Sequence, residues 1–189
     1  ITDTMDGFTM QQTSFPFVCT IVDDASTDGE QEVIKQYVEE NFDLSESSVS
    51  YKKETDFAHI IYAKHKINNN CYFAVLFLKE NHYSIKKTKM QYLQEWRDIC
   101  EYEAMCEGDD YWIDEKKLQK QVNILDNKPE VSMVFTGFDT VNITGQQIFR
   151  PRYEYLQKIS HSGDLLIEYF YHGNFTMTCT VCLRIAIVR

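Results

Sequence analysis

Glycine and proline are scarce, seven and three in 189 residues. That excludes collagen-like repeats and Pro/Gly-rich linkers, and with no internal repeat it points to one domain. Basic residues are outnumbered, 19 Lys and Arg against 29 Asp and Glu, for a formal net charge of −10. Such a chain has no basic footprint for nucleic acid and no attraction to anionic membrane surfaces. No apolar run approaches the ~20 residues that span a bilayer, and no signal peptide is recognisable. The six cysteines lack the spacing of a zinc site, because Cys179 and Cys182 form one CxxC within a strand-like pattern and no second pair exists. Cys19, Cys71 and Cys100 fall in or beside apolar segments, as small buried hydrophobes do. The reading is a reduced, cytoplasmic protein. His59, His65, His82, His161 and His172 show no ligand spacing and read as surface or structural residues.

What is abundant is apolar and aromatic: 43% hydrophobic and 14% aromatic residues, enough for one real core. Residues 1–12 read as the end of a helix with Ile1, Met5 and Phe8 on one side. Residues 17–22 are a short apolar run suited to a buried strand, ending in the polar turn 23–29. A helix follows, opened by a Thr27/Glu30 capping box or by Asp28 as N-cap, with Val33, Ile34, Tyr37 and Val38 on one face. Residues 44–70 read as irregular loop with a short element over 57–63. Residues 71–78 read as a buried strand and 79–89 as a lysine-rich loop. Met90, Leu93 and Trp96 suggest a helix leading into a strand at 99–105. Asp114 reads as the N-cap of a helix that turns Leu118, Val122 and Leu125 inward and is stopped by Pro129. A strand over 131–141, a helix over 164–171 ended by Gly173, and a half-buried alternating strand over 175–183 complete the pattern. The fold class is α/β with a mostly parallel sheet flanked by helices.

Two strand-ending turns concentrate acid: 23–28, and 106–112 with Glu107, Asp109 and Asp110. The carboxyl edge of an open α/β sheet is where ligands bind, and both turns are expected to face that edge. Adjacent carboxylates repel unless a cation or bound hydroxyls compensate them. One carboxylate can accept from a base N–H or a ribose hydroxyl, while another ligates Mg²⁺ or Mn²⁺, which prefer hard oxygen ligands and keep few from the protein. The metal then offsets a diphosphate leaving group. A calcium loop over Asp24-x-Ser26-x-Asp28-Gly29 fails because its twelfth position is Lys35 rather than a glutamate. A phosphotransfer enzyme with an aspartate nucleophile would leave the 112–119 segment unexplained.

Val22-Asp-Asp-Ala-Ser-Thr-Asp-Gly29 followed by a helix, with Cys106-Glu-Gly-Asp-Asp-Tyr-Trp-Ile-Asp114 and Lys117-Leu-Gln-Lys-Gln-Val122, closely resembles the bacterial family 2 glycosyltransferases of the GT-A fold. The match covers nearly the whole chain, with the motifs in the expected order and slightly wider apart than usual. The resemblance implies a single nucleotide-diphospho-sugar transferase domain, residues 1–112 forming the nucleotide-sugar half and 113–189 the start of the acceptor half. It implies an inverting transferase moving a sugar from a uridine diphosphate donor to an acceptor hydroxyl of a surface polysaccharide or glycolipid precursor, at the cytoplasmic face of a membrane. By that pattern Asp24 contacts the base with Asp23 beside it, Asp109 the ribose and Asp110 the Mg²⁺ or Mn²⁺. Lys86 or Lys87 helps hold the diphosphate.

The departures are informative too. Relatives of this pattern open with a strand that precedes the helix at 1–12, and place the general base after the 175–183 strand, beyond Arg189. Glu101 and Glu103 put charge in a strand the family keeps apolar. The rival reading is a non-catalytic module of the same fold that binds a nucleotide or a partner without turnover. Asp114 reads as a cap rather than a ligand, Asp164 as a helix N-terminal acid, and Tyr111 and Trp112 as packing beneath the site.

Overall fold

Cys71–Leu78 is the apolar spine of the larger sheet, every residue except Tyr72 buried. The computed structural model describes residues 1–148 and 176–187, and the expected helix over 164–171, with Asp164, Gly173, His161 and His172, lies outside them. In chain order the structure has α1 (Thr2–Thr9), β1 (Phe17–Asp23), α2 (Glu30–Asn41), β2 (Phe42–Asp43), β3 (Tyr51–Glu54), β4 (Ala58–His65) and β5 (Cys71–Leu78). It continues with α3 (Gln94–Arg97), β6 (Tyr102–Ala104), α4 (Lys117–Asn127), β7 (Met133–Phe135) and β8 (Val181–Arg184). A 3-10 turn, Met90–Leu93, leads into α3.

The larger sheet has the order β1-β5-β4-β2, with β3 also paired to β4. Among the described residues only β1 and β5 run parallel, from Phe17↔Cys71 to Asp23↔Phe77; the β4–β5, β3–β4 and β2–β4 pairings are antiparallel. The sheet is therefore mixed and mostly antiparallel, which corrects the expectation of a mostly parallel one. The cause lies in 44–70, where a hairpin and a short return turn replace the expected loop; such tight connections join antiparallel neighbours, whereas parallel ones need a crossover. β3 is Tyr-Lys-Lys-Glu and exposed throughout, so it carries no apolar alternation to betray it. A second, three-stranded sheet has the order β6-β8-β7, all antiparallel. Among the described residues β1 has a ladder partner on one side alone, and so does β6.

Each face of the larger sheet has its own core. Met5 of α1 and Ile34, Tyr37 and Val38 of α2 pack with Phe42, Phe73, Val75 and Phe77 on one side. Ala58, Ile60, Ala74, Leu76, Leu78 and Trp96 pack on the other. Side chains such as Phe73 and Leu76, fully buried, each contribute about 1.5–3 kcal/mol relative to exposure. Ile1, Met5 and Phe8 do share the inward side of α1. Val33 does not join the buried face of α2 and is 43% exposed. The strand expected over 99–105 contracts to Tyr102–Ala104, with Ile99 78% exposed, and that over 131–141 contracts to Met133–Phe135. Phe175 of the strand expected over 175–183 lies outside the described residues, and from 176 on the alternation gives way to a 3-10 turn, Thr178–Thr180, then a strand whose Val181, Cys182 and Leu183 are all buried. All six cysteines are free thiols, and no helix among the described residues is long and apolar enough to cross a membrane.

Gly7 sets how closely α1 approaches the rest of the chain. A Cβ there would lie 2.8 Å from both the amide nitrogen and the carbonyl oxygen of Trp112. Alanine ordinarily stabilises a helix interior relative to glycine by about 1 kcal/mol; here backbone overlap reverses the sign. Gly7→Ala should lower the unfolding free energy by about 1–3 kcal/mol, read from the urea midpoint. Gly137→Ala, with nothing within 4 Å of its Cβ, is the matched control and should stay within about 0.5 kcal/mol.

Candidate functional site

Because β1 and β5 are parallel, the turn after β1 and the loop after β5 leave the sheet at the same end. Asp23 is the last residue of β1 and 3% exposed. Its Oδ1 accepts from the Ser26 amide at 3.3 Å and from Gln31 Nε2 at 2.5 Å, while its Oδ2 is buried without any hydrogen-bond partner. The chain then passes through Ala25 in the left-handed region (φ 57°) and Gly29 (φ 95°). Gly29, not Asp28 or Thr27, occupies the N-cap position of α2; Asp28 Oδ1 instead accepts from the Glu30 amide at 3.2 Å.

Asp24 points the other way, into the loop after β5. Its two carboxylate oxygens accept from the His82 amide at 2.8 Å and the Tyr83 amide at 3.0 Å, and Lys89 Nζ stands 3.2 Å from Oδ2. Burial pushes the Asp24 carboxyl up, but the two amides and the Lys89 ammonium outweigh it and hold it below its ordinary value. Lys86 lies in the same loop, exposed and in the left-handed region at φ 56°. Lys87 is engaged with Glu80 at 2.5 Å. Sequence reasoning missed His82 as the centre of this loop. It has no exposed surface, and its ring sits 2.9 Å from both the Glu80 carbonyl and the Tyr92 hydroxyl. Isolated in sequence, it gave no periodic signal.

The second acidic turn follows β6 and belongs to the other sheet, so the two turns do not share one sheet edge as expected, and no hydrogen bond or ion pair joins them among the described residues. α1 holds the second turn. Thr4 Oγ1 reaches the carbonyls of Gly108 at 2.9 Å and Asp110 at 2.7 Å. Gln11, fully buried, donates to the Asp114 carbonyl at 2.9 Å and accepts from the Leu118 amide at 3.1 Å. Glu107 and Asp109 are exposed and Asp110 half-buried. No lysine or arginine pairs with these three carboxylates among the described residues. Asp114 is not the helix N-cap; it precedes α4, its Oδ1 accepting from the Lys116 amide at 2.9 Å and its Oδ2 pairing with Lys120 at 2.6 Å.

Beneath this turn is a buried polar cluster. Trp112, 7% exposed, donates from Nε1 to the Cys179 carbonyl at 2.8 Å, whereas Tyr111 is 39% exposed. Lys117 Nζ lies 4.2 Å from the Trp112 ring centroid and 2.8 Å from Gln121 Oε1, so a π face and one amide take the place of a counterion. Gln121 Nε2 donates in turn to the Thr180 carbonyl at 2.8 Å. Burial pushes the Lys117 amine down to about 8 and the thiols up, Cys106 to about 12 and Cys179 and Cys182 to about 11. No three His, Cys, Asp or Glu side chains among the described residues are grouped so as to hold a metal by themselves.

Fold and site together define a mixed α/β protein with two acidic turns that leave separate sheets. The chain is 28% identical over 186 residues to an uncharacterized protein of Mycobacterium bovis and to uncharacterized proteins of two Mycobacterium tuberculosis strains, a match covering 97% of this chain and 43% of each relative. It thus spans less than half the length of the curated relatives it matches. No family model matches the chain, and no solved structure matches it.

Lys117 gives this cluster a pH signature. Its folded-state pKa is below the unfolded value, so its unfavourable contribution is complete below about pH 8 and is relieved as pH rises towards the unfolded lysine value of ~10.4. Relative to Lys117→Met, the wild-type chain should gain roughly 3 kcal/mol of stability across that window, seen by urea denaturation at pH 7 and pH 10. Parallel pH profiles for the two proteins would show that the amine is solvated.

Proposed function

We propose that this chain is the donor-binding part of a metal-dependent inverting glycosyltransferase, which moves a sugar from a nucleoside diphosphate, uridine diphosphate foremost, to an acceptor hydroxyl. The observation that carries the reading is Asp23 Oδ2. Buried carboxylate oxygens are almost always hydrogen-bonded, and an exception calls for an explanation. Here the unpaired oxygen stands at the carboxyl end of a parallel strand pair, where α/β sheets receive ligands. A nucleotide supplies the missing donor as a base N–H or a ribose hydroxyl.

The second acidic turn supports the same reading. Asp110 is half-buried and without a cationic partner among the described residues, and carboxylate oxygen suits Mg²⁺ or Mn²⁺. A cation bound through one or two carboxylates plus substrate phosphates needs no three-ligand group from the protein. In this reading Asp110 holds the ion, Asp109 offers an acceptor to the ribose, and Lys86 approaches the diphosphate. The bound ion would stabilise the charge on the departing diphosphate. By the family resemblance the general base belongs to the acceptor half. A glycolipid or polysaccharide precursor as acceptor would place the activity at the cytoplasmic face of a membrane.

Calorimetric titration of UDP, with GDP and CDP as controls and with and without Mn²⁺, tests the reading. Manganese-dependent UDP binding is expected, weakened ~10-fold or more in both Asp110→Asn and Asp23→Asn. Folded protein that takes up no nucleotide would sink it.

A further inference from the structure

The loop after β5 is built around Asp24. Besides the His82 and Tyr83 amides on the carboxylate, Asn81 Nδ2 donates to the Asp24 carbonyl at 2.9 Å, and Lys89 Nζ closes the far end at 3.2 Å. The loop also ties to itself, the Lys87 amide donating to the His82 carbonyl at 2.9 Å and the Ser84 amide to Asn81 Oδ1 at 2.8 Å. Both oxygens of Asp24 are occupied, in contrast to its neighbour Asp23. Three donors, two of them backbone amides, already hold this carboxylate, so its main engagement is with the loop.

What this frame presents outward is a ring and a charge. Tyr83 is 85% exposed. Lys86 is held in the left-handed region at φ 56°, an uncommon state for a residue other than glycine, and its ammonium has no ion-pair partner among the described residues, whereas Lys79 and Lys87 are paired with Glu54 and Glu80. We propose that Asp24 is a positioning residue acting on the ligand through this loop, and that Tyr83 and Lys86 make the contact. The Tyr83 ring stacks on the base of a nucleoside diphosphate and the Lys86 ammonium meets its diphosphate. This rests on the donor-site reading above for the identity of the ligand, but not for the clasp.

Two measurements on the whole chain test it. Hydrogen exchange without ligand should show the amides of His82, Tyr83 and Lys87 losing protection in Asp24→Ala, with Asp24→Asn, which keeps the shape and one acceptor, intermediate. UDP titration should show Asp24→Ala weakened by the same factor, ~10-fold or more, as the Tyr83→Ala/Lys86→Met double variant, with the triple variant no weaker than either, because residues acting in one unit are not additive. Inorganic diphosphate separates the contacts: Lys86→Met should weaken both ligands and Tyr83→Ala only UDP, while Tyr83→Phe binds as the unaltered chain does. Retained amide protection in Asp24→Ala, or losses that multiply in the triple variant, would put Asp24 on the ligand and overturn the proposal. If the unaltered chain binds neither UDP nor diphosphate, the ligand roles of Tyr83 and Lys86 are overturned together with the donor reading. The exchange result separates that failure from a failure of the clasp.

Discussion

The parallel ladder between β1 and β5, seven residue pairs from Phe17↔Cys71 to Asp23↔Phe77, is the constraint on which the rest of the structure depends. An antiparallel pairing would send the exits of these two strands to opposite ends of the sheet. The parallel one brings the turn at 24–29 and the loop at 79–89 together, and only then can Asp24 accept from the His82 and Tyr83 amides. The remaining ladders of this sheet are antiparallel and extend the platform without adding to this end. One parallel pair is enough to bring these two segments together, whatever the majority of the sheet does.

The two sheets are coupled by buried polar groups as well as by apolar packing. Thr4 bonds to the turn after β6, and Gln11 to the segment entering α4, from a helix whose Met5 is anchored against the larger sheet. Phe8 adds an edge-on contact with the Trp112 ring, centroids 4.8 Å apart. Removing one partner from a buried hydrogen bond costs more than the bond contributes, so these side chains fix the position of the acidic turn against α1 more sharply than hydrophobic contact alone. Gly7 completes the arrangement by letting the Trp112 backbone lie against the helix.

The legible parts of the sequence were those with a continuous or periodic apolar signal. The run 71–78 is a strand with both ends as read, 17–22 extends by one residue, and Leu118, Val122 and Leu125 line the buried side of α4. The illegible parts have their structure decided by partners. β3 is a polar edge strand ordered by its ladder to β4, His82 is buried in a loop whose amides bond to Asp24, and Lys117 looks like any surface lysine until Trp112 and Gln121 enclose it. The acidic turns were visible as motifs, but their membership in two different sheets was not, because pairing between β6 and β8 spans a separation that no local pattern encodes.

Asp23 and Asp24 show how far a motif can mislead about roles. Adjacent and chemically identical, they are engaged differently, because Asp23 ends β1 and Asp24 already belongs to the turn. Asp23 joins the side packed by α2, where Gln31 and the Ser26 amide satisfy one oxygen and leave the other bare. Asp24 falls on the side of the β5 loop, where three donors hold its charge in place. Asp24, with three donors, anchors a loop, while Asp23 keeps one buried oxygen without a hydrogen-bond partner. The division of labour between the two follows from what each already holds.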